Sequence, residues 1–139
     1  MIKVTLDTNI LVSGLLWTGD SHRILKLADK NEIQIILSRF ILEEVQDTLN
    51  SEEILEKIKN KNLIISNTTL TIIENSLFVE PTIKLDVIKD DPDDNIILEC
   101  AKEGKVDYII TKDNHLLKLE EFEGIKIVNP DEFLRILKE

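Results

Sequence analysis

The chain has 139 residues, with 17 Lys and Arg against 27 Asp and Glu, a formal net charge of −10 and a pI of about 4.7. That length suits one domain and 42% apolar residues build a core, while the charge argues against a protein that coats nucleic acid by general electrostatic attraction. A single Cys excludes an internal disulfide framework and a Cys-cluster zinc site and points to a reducing cytoplasm, and no run of about 18 apolar residues marks a membrane span.

In chain order, Met1 to Asp7 alternates apolar Ile2, Val4 and Leu6 with polar Lys3, Thr5 and Asp7, the period of a strand. Ile10 to Trp17 turns helical, and Ser21 to Lys30 gives a second helix through Ile24, Leu25, Leu27 and Ala28. Ile33 to Leu37 is an apolar run of the kind a buried strand shows, Phe40 to Leu49 returns to helical period, and Ser51 opens a helix over Ile54 to Lys59. Leu63 to Leu77 is read as helix and Leu77 to Val79 as a short strand ended by Pro81. Pro92 stands as the first residue of a helix from Asp93 to Glu103, with Gly104 as its stop. Tyr108 to Thr111 and Ile125 to Val128 are strands, and Pro130 opens a last helix carrying Phe133, Leu134 and Leu137. Strands alternating with helices predict an α/β domain over residues 1–139: three layers, α/β/α, around a mainly parallel sheet of roughly five strands.

Most acids of such a chain decorate its surface, so the informative ones are those at element boundaries. In an open parallel sheet, ligands bind beyond the carboxyl ends of the strands, where strand order reverses. Asp7 ends the first strand and Asp113 lies two residues past the strand ending at Thr111, so both carboxylates belong to one sheet edge. At about 100° per residue, Glu43 falls opposite the apolar set Phe40, Ile41, Leu42, Val45 and Leu49, whereas Glu44 flanks it. In Asp90-Asp91-Pro92-Asp93-Asp94 the same angles do not separate Asp93 from Asp94, and helix capping competes as the role of Asp91 and Asp93. Four acids at one edge raise one another's pKa unless cations hold them ionised, and hard oxygen donors suit Mg²⁺ or Mn²⁺.

These segments together resemble the PIN-domain family, in particular the small ribonuclease toxins of type II toxin–antitoxin pairs. The resemblance runs through Asp7-Thr8-Asn9 in LDTNILVSGLL, Ser38 and Glu44 in SRFILEEV, Asp94 with Ile97 and Ala101 in DPDDNIILECA, Thr111 and Asp113 in YIITKDNHLL, and the closing IVNPDEFL. It implies a catalytic metal site of Asp7, Glu44, Asp94 and Asp113 holding Mg²⁺ or Mn²⁺, and it selects Asp94 over Asp93. Thr8, Asn9, Ser38 and Thr111 would orient the carboxylates. Many members carry a further acid or Asn after the Thr-x-Asp pair; here the stretch is Asn114-His115, candidates for touching metal, water or phosphate.

The resemblance implies a cytoplasmic endoribonuclease that hydrolyses RNA phosphodiesters to 5′-phosphate and 3′-hydroxyl ends, a cognate antitoxin protein, and a homodimer. Arg39 and Lys112, beside motif residues, are candidate RNA contacts; His115, Lys118, His22, Arg23, Lys57, Lys59 and Lys61 are further cations, and Trp17 is a candidate stacking residue whose alternative is core or interface. Cys100 falls on a core-facing helix position. A receiver domain would need paired acids after the first strand and a Lys ending a late strand, and an Asp-nucleophile phosphatase a second Asp where Asn9 stands. The alternative that survives is a catalytically silent PIN-fold domain binding RNA or protein.

Overall fold

The computed structural model describes residues 1–58, 67, 70–72 and 74–138. Its elements are β1 (Ile2–Leu6), α1 (Thr8–Leu16), α2 (Asp20–Asp29), β2 (Ile33–Ser38), α3 (Arg39–Leu49), α4 (Glu52–Lys57), β3 (Ser76–Val79), a 3₁₀ turn (Pro92–Asp94), α5 (Asn95–Gly104), β4 (Tyr108–Ile110), α6 (Asn114–Leu117), β5 (Glu121–Phe122), β6 (Ile125–Val128) and α7 (Pro130–Leu137). The six strands lie in the order β3-β2-β1-β4-β6-β5, all parallel except β5, which pairs antiparallel with β6. The expected α/β architecture holds, with one strand more than expected: β5 is two residues long and carries no periodicity to reveal it.

Strand order reverses at β1. From it the chain runs outward through β2 and β3, then returns to place β4 on the other side. The carboxyl ends of β1 and β4 therefore flank the switch point, where an open sheet leaves a crevice. In the middle of the sheet Val4, Thr5 and Leu6 are all buried, as are Ile35, Ile36, Leu37 and Ser38, so helices cover both faces. Thr5 and Ile36 meet α5: the Thr5 hydroxyl bonds the Ile36 carbonyl at 3.1 Å and lies 3.8 Å from Cys100 Sγ. Layering on both sides buries the polar Thr5 and Asp7 along with apolar Val4 and Leu6 of β1.

Several boundaries follow from caps. Asp7 accepts from the Ile10 amide and starts α1 two residues before the apolar pattern does. Ser38 and Ser51 cap α3 and α4, and Asn129 with Glu132 forms a capping box at α7. Within Leu63 to Leu77, residues 67, 70–72 and 74–75 are helical, in line with the expected helix; the others before β3 lie outside the described residues. Trp17, a candidate for core or interface, is 42% exposed at the end of α1, whereas Cys100 is buried, and burial pushes its thiol up to about 11. No helix among the described residues is long and apolar enough to cross a membrane.

Two corrections concern α5. Pro92 to Asp94 forms a 3₁₀ turn rather than the first turn of the α-helix, which begins at Asn95. Gly104 is not the left-handed stop: it is the last helical residue, and Lys105 takes the left-handed conformation at φ 50° and ψ 49°. Gly104 is required instead by closeness, since a Cβ there would stand 2.5 Å from Ile36 Cγ2. Ile36 is buried and β-branched, so it yields only by straining its rotamer. Overpacking of about 1–3 kcal/mol outweighs the roughly 1 kcal/mol of helix propensity that Ala restores. Gly104→Ala is therefore expected to be destabilising, by about 1 kcal/mol net, read as a lower urea midpoint at unchanged m-value.

Candidate metal centre at the sheet edge

The crevice at the switch point is a cleft of about 220 Å³ lined by Asp7, Thr8, Asn9, Glu44, Thr48, Asp91, Asp93, Asp94, Ile97 and Asp113. All four carboxylates expected from the sequence line it. Each arrives on a different element: Asp7 from the end of β1, Glu44 from α3, Asp94 from the 3₁₀ turn before α5, and Asp113 from the β4–α6 connection. On α3 the angular argument holds, with Glu43 exposed and Glu44 half-buried. Asp93 is exposed and Asp94 half-buried, which separates two residues that helical angles could not.

Asp7 and Asp113 are locked by one hydroxyl. Thr111, fully buried, donates its Oγ1 proton to Asp7 Oδ2 and accepts from the Asp113 amide at 2.9 Å. Asp7 Oδ1 accepts from the Ile10 amide at 3.0 Å, and Asp113 Oδ1 from the His115 amide at 2.7 Å. Both acids are thus N-caps, of α1 and α6, with their rotamers set by the helices they start. Of the residues expected to orient carboxylates, Thr111 bonds Asp7 directly. Ser38 does not: its Oγ accepts from the Ile41 amide, so it shapes the start of the helix that carries Glu44 and not a carboxylate. Thr8 and Asn9 line the cleft, whereas Asn114 is exposed at the start of α6.

Two residues were under-read in the sequence. Asp91 was weighed as a cap, but its side chain makes no capping bond and faces the cleft instead. Asp91, Asp94, Asp113 and His115 each offer one ligand atom, and these four atoms lie within 4.8 Å of one another. Asp7 and Glu44 line the same cleft outside this tightest group. Asn95, which carried no signal by itself, clamps the acidic loop. Its Oδ1 accepts from the Val87 and Ile88 amides, both at 2.9 Å, and its Nδ2 donates to the Ile88 and Pro92 carbonyls at 2.9 and 3.0 Å. One and two turns on, Glu99 takes the Leu85 amide and Glu103 takes the Thr82 amide and hydroxyl. The spacing 95, 99, 103 is one helix stripe, and it straps residues 82–88 along α5 so that Asp91 is delivered to the cleft. A polar stripe at i, i+4, i+8 on a helix is the signal that would have found it.

The electrostatics of the cleft are those of crowded like charges. Burial raises the pKa of Asp7, against the bonds from Thr111 and Ile10, which lower it. Glu44 is raised by burial and then by Asp93, Asp94, Asp91 and Asp7. Asp94 is pushed up to about 6 by burial, Asp113 and Asp91, with His115 opposing. Among buried polar side-chain atoms of the described residues, Asp94 Oδ2 and His115 Nδ1 are two that lack any hydrogen-bond partner. Orphaned donor-set atoms facing a dense group of carboxylates are what a divalent cation satisfies, so the residues present fit a hard dication.

The cations expected to meet RNA differ in availability. Arg39 lies 3.7 Å from Glu43 and over the Phe40 ring, Lys118 pairs with Asp90, Arg23 with Asp20 and Lys57 with Glu53, while His22 Nδ1 bonds the Gly14 carbonyl. Lys112 is exposed beside Asp113 and has no acidic partner among the described residues. Lys59 and Lys61 lie outside the described residues.

An open, mainly parallel sheet with a carboxylate-lined cleft at its switch point defines an α/β protein whose sheet edge gathers acids from four elements. The PIN domain profile matches residues 3–115, and the chain belongs to the PIN domain family. Among solved structures it is similar to that titled "Crystal structure of VapBC2 from Rickettsia felis bound to a DNA fragment from their promoter". That match has a TM-score of 0.62 at 18% identity and covers 92% of this chain and 98% of the other. A search of curated protein sequences gives no match.

Two outcomes are expected. Asn95→Ala strands two amides and two carbonyls, and at about 1–3 kcal/mol for an unmet buried group it lowers stability by about 2–3 kcal/mol and speeds hydrogen exchange at Val87 and Ile88 before the rest of the chain. For Asp94 the folded pKa lies above the unfolded one, so the folded state binds the proton more tightly and this group's contribution to stability is lost as pH rises from about 4 to about 6. Metal-free protein should lose stability across that window in a denaturant series, and Asp94→Asn should flatten the loss.

Proposed function

We propose that this protein is a Mg²⁺- or Mn²⁺-dependent endoribonuclease, the toxin of a type II toxin–antitoxin pair, working in the cytoplasm. The observation that carries the reading is the convergence of Asp7, Glu44, Asp94 and Asp113 from four separate elements on one cleft at the sheet switch point. A structural role would scatter these acids into solvent, because gathering them costs stability through mutual repulsion.

In this reading Asp7, Glu44, Asp94 and Asp113 hold the cation. When bound, it supplies Lewis acidity to the scissile phosphate and lowers the pKa of the attacking water. The chain's own residues supply order. Thr111 fixes Asp7 and Asp113 relative to each other, and the Ile10 and His115 amides fix their rotamers. Glu44 faces them from α3 across the cleft, and Asn9 and Thr48 contribute neutral polar groups to its wall. In-line attack on phosphorus with departure of the 3′ oxygen leaves a 5′-phosphate and a 3′-hydroxyl. Lys112 at the rim, with Arg39 on α3, offers charge to the RNA backbone against a surface that is otherwise negative.

A cognate antitoxin and a homodimer belong to the same reading. It draws on the likeness to the VapBC2 structure and on the exposed apolar residues Leu77 and Phe78 of edge strand β3, with Phe40 nearby in sequence to β2. The decisive experiment is an RNase assay on metal-loaded protein. Wild type is expected to cleave RNA, and Asp7→Asn, Asp94→Asn and chelation are each expected to reduce cleavage to background. Cleavage that survives chelation overturns the reading. A folded wild type that cleaves no RNA and binds divalent ions only weakly by calorimetry establishes the catalytically silent alternative.

A further inference from the structure

We infer that the free edge of β3, with the apolar groove beyond its carboxyl end, takes an extended segment of a basic partner protein, added to the sheet as a further strand. The inference rests on the partner reading above, in which a second protein and a second copy share these residues, and it gives this surface to the second protein.

The sheet has two edges, and one of them is poorly defended. Proteins protect an exposed edge with charge, with proline or by keeping the strand very short. At one edge β5 is two residues long and begins with Glu121. At the other, β3 is Ser76, Leu77, Phe78 and Val79, with no charge or proline within it, and among the described residues it pairs only with β2. Successive side chains of a strand stand on opposite faces, so Leu77 and Phe78 report on both. They are 55% and 40% exposed, whereas Ile36 and Leu37, their neighbours in register on β2, are buried. The cover on both faces therefore stops one strand short of the edge.

Two residues past Val79 a groove of about 350 Å³ opens, with Phe40, Pro81, Ile83 and Ile96 as its apolar wall. Phe40 and Ile83 are themselves exposed. The groove is preformed, because the strap that makes one side of it is pinned to α5. Glu103 takes the Thr82 amide and hydroxyl, and Glu99 takes the Leu85 amide. An added strand uses these two features together: the open edge supplies a hydrogen-bond ladder, and a fixed apolar slot at its end reads one side chain.

Charge decides the occupant. Glu80 follows β3 directly and Glu99 lines the groove, while Lys84 is the one basic residue among the described lining. Pairing two copies here would set −10 against −10 across a contact four residues long. A basic segment gains from the same field that opposes self-association.

The test uses the full chain without RNA or metal. Its probe is a phage-displayed library of random decapeptides, from which the selected peptides are synthesised. They should carry a bulky apolar residue among Lys and Arg. Amide shifts and slowed hydrogen exchange on binding should centre on Ser76–Val79 and residues 82–84. Leu77→Lys and Ile83→Lys should each weaken binding about 10-fold or more at an unchanged urea midpoint, and added salt should weaken it as well. Selected peptides that are acidic, that perturb the carboxylate cleft instead, or that bind the Leu77→Lys chain as tightly as wild type overturn the inference. A selection that yields no binder overturns it too, as does a wild-type dimer in light scattering that Leu77→Lys dissociates, which gives the edge to a second copy. The wild-type footprint decides without any variant having to fold. RNA cleavage enters none of these readouts, so the nuclease reading stands or falls separately.

Discussion

The Thr111 hydroxyl ties the two central strands together at their carboxyl ends, where the cleft begins. β1 and β4 run parallel and adjacent, and beyond their carboxyl ends the sheet opens because the chain winds outward from β1 in both directions. Two acids left there would repel and splay. By donating to Asp7 and accepting from the Asp113 amide, Thr111 converts them into a fixed pair. The same carboxylates are the N-caps of α1 and α6, so helix initiation and the placement of these two acids in the cleft are one set of hydrogen bonds.

The second wall of the cleft is made by a different device. Residues 82–88 have no regular secondary structure, yet the amides of Thr82, Leu85, Val87 and Ile88 are satisfied by Glu103, Glu99 and Asn95 on a single stripe of α5. An irregular segment laid on a helix this way keeps its backbone polar groups paired without a strand. It ends at Asp91, which explains how an acidic run in a loop can present one particular carboxylate to the cleft. Gly104 at the far end of the same helix lets α5 sit close on Ile36 of β2.

The cleft is stable only as a compromise. Burial and mutual repulsion raise the pKa of Asp7, Glu44 and Asp94, a cost that capping bonds offset in part and a bound dication offsets more fully. The overall charge of −10 fits this arrangement. In the proposed reading, attraction for a polyanion would be confined to a cleft neutralised by the cation and a few cations near it, with the remaining surface repelling it.

Local pattern in the sequence determined most of the elements and their order, because apolar period and capping residues act over a few positions: five of the six strands, the start of α7 at Pro130 and the outward Glu43 against the inward Glu44 were all legible. So was the meeting of Asp7 with Asp113, since both follow parallel strands. Tertiary structure alone decided the rest. The β5 pairing is too short to leave a period, the burial of Thr5 needs a helix layer that one strand cannot announce, and Gly104 matters through a residue 68 positions away on β2. The roles of Asp91 and Asn95 depend on how residues 82–88 are laid along α5 and which backbone groups Asn95 then meets, and that is a property of three-dimensional contact rather than of spacing along the chain.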